Sequence, residues 1–228
     1  MSSEIDICNL ALANIGDEAQ VSAIDPPDGS VQAAHCARFY PICRDALLEM
    51  HTWRFAVFRA DLALLSITPP YGWAYAYGLP NDCLLPMAVL APGDESNSSL
   101  DWLIGQDIAQ LTLLKGHPDN NQQRFVVESQ SDGSLVLYTN IENAILVFIK
   151  RVTDTSKYGP LFVLALARLL SSKLAGPVIK GDEGTRIARE QMELFLKSEY
   201  PAAVGRNKTG SEQNAYADVV PDAVAARQ

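Results

Sequence analysis

The sequence predicts an α+β protein in which a discontinuous helical bundle, residues 1–52 and 154–200, carries a β-rich insertion at residues 53–153. Apolar residues recur every three or four positions towards both ends of the chain, as they do on one face of a helix. The middle of the chain alternates apolar and polar residues and contains turn signals, which predicts a small sandwich or barrel-like domain. Residues 201–228 sustain no period, which predicts an extended C-terminal tail.

The first predicted helix begins at a capping signal near the N-terminus. Ser3 precedes Asp6 by three residues, which is the spacing of a capping box. Gly16 is a natural residue to end the helix. The apolar positions between these two points follow helical spacing: Ile5, Cys8, Leu12 and Ile15.

A second and longer helix follows a turn and runs to about Thr52. Asp28 or Ser30 can cap its first turn. Pro41 removes one backbone donor from its interior, so we expect either a kink or two abutting helices at this point. The apolar stripe that predicts its packing face consists of Val31, Ala34, Phe39, Ile42, Ala46 and Met50.

Strands are predicted through the middle of the chain. Pro86 makes the strand at Leu84–Leu90 an edge strand or a bulged one. Asp132-Gly133 is a hairpin signal between two short strands. The predicted strand at Ala144–Val152 is apolar almost throughout and should be buried on both faces. The remaining segments are Phe55–Asp61, Phe125–Glu128, Leu135–Tyr138 and the ambiguous Ile104–Leu114, where the pattern favours a strand pair.

The segment before residue 80 contains aromatic side chains at every second position: Tyr71, Trp73, Tyr75 and Tyr77. Small residues lie between them, so an extended strand would have an aromatic face and a nearly bare reverse side. Such an aromatic face could stack on bases or sugars, but no Lys or Arg lies between Tyr71 and Pro86. We therefore expect it to pack against the insertion's core or an adjacent subunit, with its bare side against backbone.

Helical character returns after residue 157. Leu161–Leu174 is apolar nearly all round, which predicts a buried central helix ended by Gly176-Pro177. The last helix should begin at Asp182 or Thr185 and end at Pro201. The apolar anchors of the predicted tail are Val204, Tyr216, Val219, Val220 and Val224.

Composition bounds the partners of this chain of 228 residues with a net charge of −9. Hydrophobic residues make up 48% of it, so a packed core is expected. No basic patch stands out that would grip phosphates, no export-type start is present, and no apolar run reaches the ~18–20 residues of a membrane span. An acidic surface can line a passage through which DNA slides without binding. The candidates for such a surface are Glu4, Asp6, Asp17 and Glu18.

The residue patterns predict no catalytic site, metal or cofactor. Cys36 and Cys43 are seven residues apart with His35 and His51 nearby, a spacing that fits buried thiols better than a zinc site. Neither a nucleophile motif nor a phosphate-binding loop occurs. Paired carboxylates leave a glycoside-cleaving activity open, although a solvated surface explains them as well. The acids concerned are Asp94, Glu95, Asp182, Glu183, Glu142 and Glu49.

Four segments in series resemble the head-to-tail adaptor proteins of tailed bacteriophages, a group that includes the tail tubular protein A family. They are ICNLALANIG near the N-terminus, YPICRDALLEMHTWRFAVFRADLALL at Tyr40–Leu65, YAYGLPNDCLLP at Tyr75–Pro86 and RVTDTSKYGPLFVLALARLLSSKLAGP at Arg151–Pro177. The resemblance covers about residues 5–200 and leaves the C-terminal tail without a matching pattern.

This resemblance implies a ring, usually of about twelve subunits, at the head–tail junction of a virion assembled in the host cytoplasm. The ring would lie between the portal protein and the tail nozzle or another tail protein, with DNA passing through it without specific binding. The helices would form the ring wall, the β-rich insertion would face outward or towards the tail, and the C-terminal tail would dock on the portal. One branch of the group is associated with peptidoglycan cleavage, so a virion-associated lytic enzyme is the alternative.

Overall fold

The computed structural model describes residues 2–93 and 123–207. The chain divides into two compact units: a helical unit formed by residues 1–47 with 152–228, and a β-rich unit formed by residues 48–151. Helices and antiparallel sheets are both present, so the fold is α+β. The predicted strand pair at Ile104–Leu114 lies outside the described residues.

Helix α1 spans Glu4–Ala13 and begins with the capping box that the sequence predicts. The backbone N–H of Asp6 donates to Ser3 Oγ at 3.1 Å, and the backbone N–H of Ser3 donates to Asp6 Oδ2 at 2.8 Å. These two bonds satisfy donors that the first helical turn cannot pair internally. Gly16 follows the helix with φ at +80°, a backbone conformation that glycine adopts without strain.

Helix α2 spans Val31–Glu49 and is capped by Ser30, whose Oγ accepts from the backbone N–H of Ala33 at 3.1 Å. Pro41 lies inside one continuous helix, so the expectation of two abutting helices is wrong. The helix also ends at Glu49, three residues before the predicted end. A single proline removes only one donor, and the rest of a long helix with a buried face holds the segment together.

Helices α3, Pro160–Ile179, and α4, Gly181–Leu194, also belong to the helical unit. Two predicted stops are wrong. Helix α3 continues past Pro177 and ends at Lys180, whose φ is +64°. Beyond α4 a π-helical turn at Phe195–Glu199 widens the helix, and helical structure passes through Pro201 to residue 207. A wide turn relieves the crowding that a proline ring imposes on the preceding turn.

The β-rich unit contains two antiparallel sheets. One has the strand order β1-β7-β4 and the other the order β2-β3-β6-β5. The strands are β1 Val57–Asp61, β2 Ala63–Leu64, β3 Tyr75–Gly78, β4 Cys83–Leu90, β5 Phe125–Ser129, β6 Leu135–Thr139 and β7 Ile145–Lys150.

Three strand predictions are confirmed in detail. β4 lies at a sheet edge and is bulged on both sides of Leu85–Pro86, as expected for a strand that contains a proline. β5 and β6 pair around Asp132-Gly133, with φ of Gly133 at +83°. β7 is the central strand of its sheet, and residues Ile145–Ile149 are all buried.

Side chains from both sheets meet in one hydrophobic core. Tyr77 and Leu137 come from the four-stranded sheet, whereas Val89, Leu146 and Phe148 come from the three-stranded sheet. Within this cluster Tyr77 Oη donates to the carbonyl of Ile141 at 2.9 Å. The residues of this cluster are therefore packed between the two sheets of the unit.

The aromatic segment departs from its prediction. Tyr71 and Gly72 form a turn, with φ of Gly72 at +96°, and Tyr71 is fully exposed. Only Tyr75 and Tyr77 lie in a strand, on the core side of β3. Trp73 packs on the opposite side with Ala76, Val136 and Tyr138, so the side predicted to be bare is covered by side chains. Alternation requires a continuous strand, and Gly72 breaks it.

Among the described residues, one helix is long and apolar enough to cross a membrane, namely α3 with 20 residues and a mean hydropathy of 1.6. Inside the fold, 61% of its apolar window is buried. The core helix of a globular domain satisfies the same criteria of length and composition.

Candidate docking surface

Helix α2 has an apolar buried face that the sequence prediction did not identify. Ala33, Cys36, Tyr40, Cys43 and Leu47 are all buried and follow one another at intervals of three or four residues. This spacing places them on one side of the helix. Cys36 lies beside Cys8 of α1, and both side chains are fully buried in the helical unit.

The stripe predicted to be the packing face of α2 points outward instead. Val31 is 66% exposed and Ile42 is 62% exposed, and Ala34 and Ala46 are also exposed. Phe39 is half-buried and stacks on the ring of His35, with centroids 6.4 Å apart. Helix α2 therefore buries one apolar face, whereas among the described residues its other side presents apolar side chains on both sides of the exposed Arg38. We call the outward set Val31, Ala34, Phe39, Ile42 and Ala46 the α2 stripe.

Acidic groups lie at the N-terminal end of the α2 stripe. Asp28 accepts hydrogen bonds from the backbone N–H and hydroxyl groups of Ser22 and Ser30, and these bonds lower the pKa of its carboxyl group. Asp17 Oδ2 accepts from Gln32 Nε2 at 3.1 Å. Both carboxylates fix the chain that leads into α2 and keep this end of the helix negatively charged.

The four acids predicted to face a DNA channel have different local roles. Asp6 caps α1 and Asp17 organises the turn after it, where its Oδ1 accepts from the backbone N–H of Ala19. The Ser3 hydrogen bonds lower the pKa of Asp6. Glu4 is half-buried and Glu18 is exposed. Their position relative to a channel stays a prediction.

Helices α3 and α4 form a groove of about 490 Å³ on the surface of the helical unit. Its apolar floor includes Ala188, Met192 and Leu196, and Leu196 is 52% exposed. Its rim contains three cations and one anion: Lys173, Arg189, Lys197 and Glu193. Lys197 forms an ion pair with Glu193, so the rim keeps a positive excess. We call this surface the α3–α4 groove.

A close backbone approach and a polar network hold the two helices that form the groove. A Cβ on Gly184 would lie 2.9 Å from the carbonyl oxygen of Ala175, so α3 and α4 touch at this glycine. Arg168 of α3 donates to Gln191 Oε1 at 2.7 Å and pairs with Glu199 at 3.0 Å. Gln191 Nε2 in turn donates to the carbonyl of Asn14 at 3.2 Å. The groove is therefore preformed by the unit's own interior contacts.

The cysteines behave as buried thiols. Cys8, Cys36 and Cys43 are buried and unpaired by disulfides. The hydrogen bond to Cys36, together with burial, raises the pKa of Cys8, and burial raises the pKa of Cys43 to about 11. Residues 2–93 and 123–207 hold no group of three His, Cys, Asp or Glu side chains suited to a metal ion.

The carboxylates considered for glycoside cleavage lie in ordinary surface positions where they are described. Glu183 Oε1 pairs with Arg186 at 2.6 Å, and this hydrogen bond lowers the pKa of Glu183. A general acid needs the opposite shift, because it must keep its proton near neutral pH. Asp182, Glu142 and Glu49 are exposed, and Asp94 and Glu95 lie outside the described residues.

The predicted tail begins later than expected. Residues 201–207 are helical, and Ala203 and Val204 are buried. Val204 is therefore a core residue of the helical unit instead of an anchor on an extended segment. The other predicted anchors, Tyr216, Val219, Val220 and Val224, lie outside the described residues.

The β-rich unit has a second apolar groove, of about 360 Å³, beside β4 and β5. It is lined by Leu79, Cys83, Leu84, Pro86, Phe125, Val126, Val127 and Leu135. Burial raises the pKa of the Cys83 thiol to about 11, so this sulfur has the character of a small apolar group. Among the described residues that line this groove, Cys83 carries the only ionisable side chain.

Comparison with protein-family models and with curated protein sequences finds no match for this chain. Sequence reasoning found the α2 stripe but assigned it to the wrong side, and it missed the α3–α4 groove. The signal for the buried side of α2 was present in the spacing of Cys36, Tyr40, Cys43 and Leu47. A groove between two helices can be predicted only if the point where the helices approach each other is known. That point is at Gly184, and the sequence alone does not show which helix lies against it.

Proposed function

We propose that this chain is a structural head-to-tail adaptor of a tailed-phage virion, a ring subunit between portal and tail through which DNA passes. The observation that carries the proposal is helix α2, which buries one apolar face and, within the described residues, leaves Val31 and Ile42 exposed on the other side. A helix face with large exposed apolar residues is unfavourable in water and is typical of a contact with another protein.

The resemblance to phage adaptor proteins supports the same function from the sequence. The segments Tyr40–Leu65 and Arg151–Pro177 contain the two positions where the chain passes between the helical and β-rich units. Tyr75–Pro86 supplies β3 and the first half of β4. The residues that carry the resemblance thus include both passages of the chain between the two units and two strands of the β-rich unit.

We assign a separate role to each of the two units and to the C-terminal segment. The helical unit forms the ring wall, and the β-rich unit contacts the tail side or faces outward. Residues 208–228 reach the portal, with Tyr216, Val219, Val220 and Val224 as apolar anchors. A segment that becomes ordered on docking gains contact area at a cost in conformational entropy. The acids of the N-terminal region face the passing DNA and repel it.

Because residues 201–207 are helical, a truncation that tests the portal contact should end after residue 207. A chain ending at Asn207 keeps Ala203 and Val204 in the core, so we expect it to fold with an unchanged thermal midpoint. It should lose binding to the portal protein of the same phage, measured by co-sedimentation. A chain ending at Tyr200 is the control for damage, because it removes both buried residues and should melt several degrees lower.

The outcomes separate the possible functions. Undiminished binding by the chain ending at Asn207 would contradict the role of the tail, and no binding by the full chain would contradict the adaptor function. Release of peptidoglycan fragments by the purified full chain would favour the lytic enzyme. The adaptor function predicts no release even at high protein concentration.

A further inference from the structure

We propose that the α3–α4 groove holds an acidic and apolar segment of its own chain, residues 216–222, as long as the chain is not bound to the portal. Portal binding then releases the segment from the groove. This release rests on the proposed function, because Tyr216, Val219 and Val220 are also the anchors assigned to the portal contact. The groove contact itself is argued from charge, composition and chain length, and it needs no portal.

The groove combines an apolar floor with positive charge that is not neutralised. Lys173 and Arg189 line it and are exposed. Among the described residues neither forms an ion pair, whereas Lys197 of the same rim is paired with Glu193. Lys173 also lies near Cys43 of α2, but burial raises the pKa of that thiol to about 11, so the thiol is neutral. The groove therefore suits a ligand that is both apolar and acidic.

The chain contains a segment of this composition beyond the helix that forms the groove. Residues 209–226 hold three acids and no Lys or Arg, which gives them a net charge of −3. The acids are Glu212, Asp218 and Asp222. The two aspartates flank the apolar pair Val219 and Val220, so apolar and acidic groups lie within a few residues of each other. This pattern is complementary to the floor and rim of the groove.

The chain is long enough for this segment to reach the groove. Helical structure continues beyond the groove from Leu196 to residue 207, over about 17 Å at 1.5 Å per residue. Residues 208–215 can extend over up to about 26 Å, so they span the way back along this helix. Residues 216–222 can extend over about 23 Å, and the groove is about 17 Å long from Leu196 to Thr185. The segment therefore covers the length of the groove.

Chain length also determines the direction in which the segment lies. The tether of residues 208–215 enters from the Leu196 end of the groove, so Tyr216 lies near Leu196 and Asp222 near the opposite end. Lys173 belongs to that opposite end, because Ala175, two residues further along α3, lies against Gly184 at the start of α4. The apolar part of the segment thus lies along the floor, and its last acid lies beside an exposed cation.

A weak contact is sufficient because groove and segment belong to one chain. A short flexible tether gives an effective concentration on the order of a millimolar, so a dissociation constant of the same order leaves the segment docked in about half of the chains. The same anchors cannot contact the groove and the portal at once. Docking therefore weakens the apparent affinity for the portal by about twofold, in proportion to the fraction of free segments.

Disulfide formation within single full-length chains tests the groove contact. In a Cys83→Ser background, we expect Ala188→Cys with Ala223→Cys to close a disulfide in dilute protein treated with oxidised glutathione, measured by intact mass. The matched control is Leu194→Cys with Ala223→Cys, because Leu194 is 39% exposed, lies outside the groove and is closer to the tether. The control should close about tenfold more slowly, after correction for the reactivity of each thiol in the single variants.

Two outcomes of this experiment overturn the proposal. Equal rates of closure in the two double variants would show that the groove does not hold the segment. Disulfides that join two differently tagged chains, in place of closure within one chain, would assign the groove to the segment of a second copy.

Two arginines of α4 test the contribution of charge. Arg189→Ala should slow disulfide closure between positions 188 and 223 by about threefold, because it removes a cation that faces the segment. Arg186→Ala is the matched control, since Arg186 pairs with Glu183 and Glu190 and does not line the groove. High salt should reduce the difference between the two variants. Equal rates at low salt would overturn the match of charges on which the proposal rests.

Portal binding separates this proposal from the proposed function. Leu196→Asp places a negative charge on the groove floor and leaves the segment intact, so it should bind the portal about twofold more tightly than the wild-type chain in co-sedimentation. Its circular dichroism should be unchanged, since Leu196 is 52% exposed. Equal or weaker binding would contradict the release of a docked segment. A wild-type chain that binds the portal, in a protein whose paired cysteines fail to close, leaves the adaptor function standing and overturns the groove contact.

Discussion

Helices α2 and α3 are both rich in apolar residues, but the fold treats them differently. Helix α3 is buried over most of its surface, including Leu166, Leu170 and Leu174. Helix α2 buries one apolar face and exposes another that contains Val31 and Ile42. Burial in the helical unit therefore explains why α3 is apolar, but it explains the apolar residues on only one side of α2. The described residues leave this second side of α2 exposed.

The largest expected effect separates the two faces of α2. Leu47 is completely buried, so Leu47→Ala should lower the free energy of unfolding by about 2–5 kcal/mol, because it removes apolar contacts and leaves a cavity. Ile42→Ala on the opposite face should leave that free energy nearly unchanged in dilute protein. Urea unfolding of both variants measures the difference. Equal losses for the two variants would show that Ile42 is covered within the chain.

The next effect concerns the contact between α3 and α4. Gly184→Ala places a Cβ 2.9 Å from the Ala175 carbonyl oxygen, and we expect it to cost about 1–3 kcal/mol of stability. Gly176 is the matched control, since a Cβ there meets no atom within 4 Å. Gly176→Ala should be neutral or stabilising because alanine favours a helix. Thermal unfolding that shows equal midpoints for the two variants would contradict the close approach at Gly184.

The sequence predicts a feature of the fold well when residues close to it along the chain determine that feature. The hairpin at Asp132-Gly133 and the bulged edge strand at Pro86 follow from backbone chemistry within a few residues, and both were predicted correctly. The stops at Pro177 and Pro201 also looked local, but tertiary packing carried the helices past both. Packing against neighbouring elements therefore overrides the preference of a single residue.

The candidate docking surface was less accessible from sequence than the fold. Two apolar stripes on one helix have the same spacing, and only the neighbours of α2 decide which of them is buried. The segment around Tyr71 shows a related failure, since alternation predicted one strand over Tyr71–Tyr77 but Gly72 interrupts it. A surface made by α3 and α4 joins residues that are distant along the chain, such as Lys173 and Leu196, and no local pattern connects them.

The smallest expected effect concerns two buried tyrosine hydroxyl groups, one in α2 and one just before α3. Tyr40 of α2 is buried, and its hydroxyl group has no hydrogen-bond partner within the described residues. Burial raises its pKa, because the charged form would lose its hydration. Tyr40→Phe should therefore raise the free energy of unfolding slightly, by up to about 1 kcal/mol.

Tyr158, just before α3, is the control, since its Oη donates to the carbonyl of Val152 at 2.5 Å. Tyr158→Phe should lower stability by about 1 kcal/mol, measured by urea unfolding. A clear loss in Tyr40→Phe would show that the hydroxyl group gains a partner when the chain is in solution.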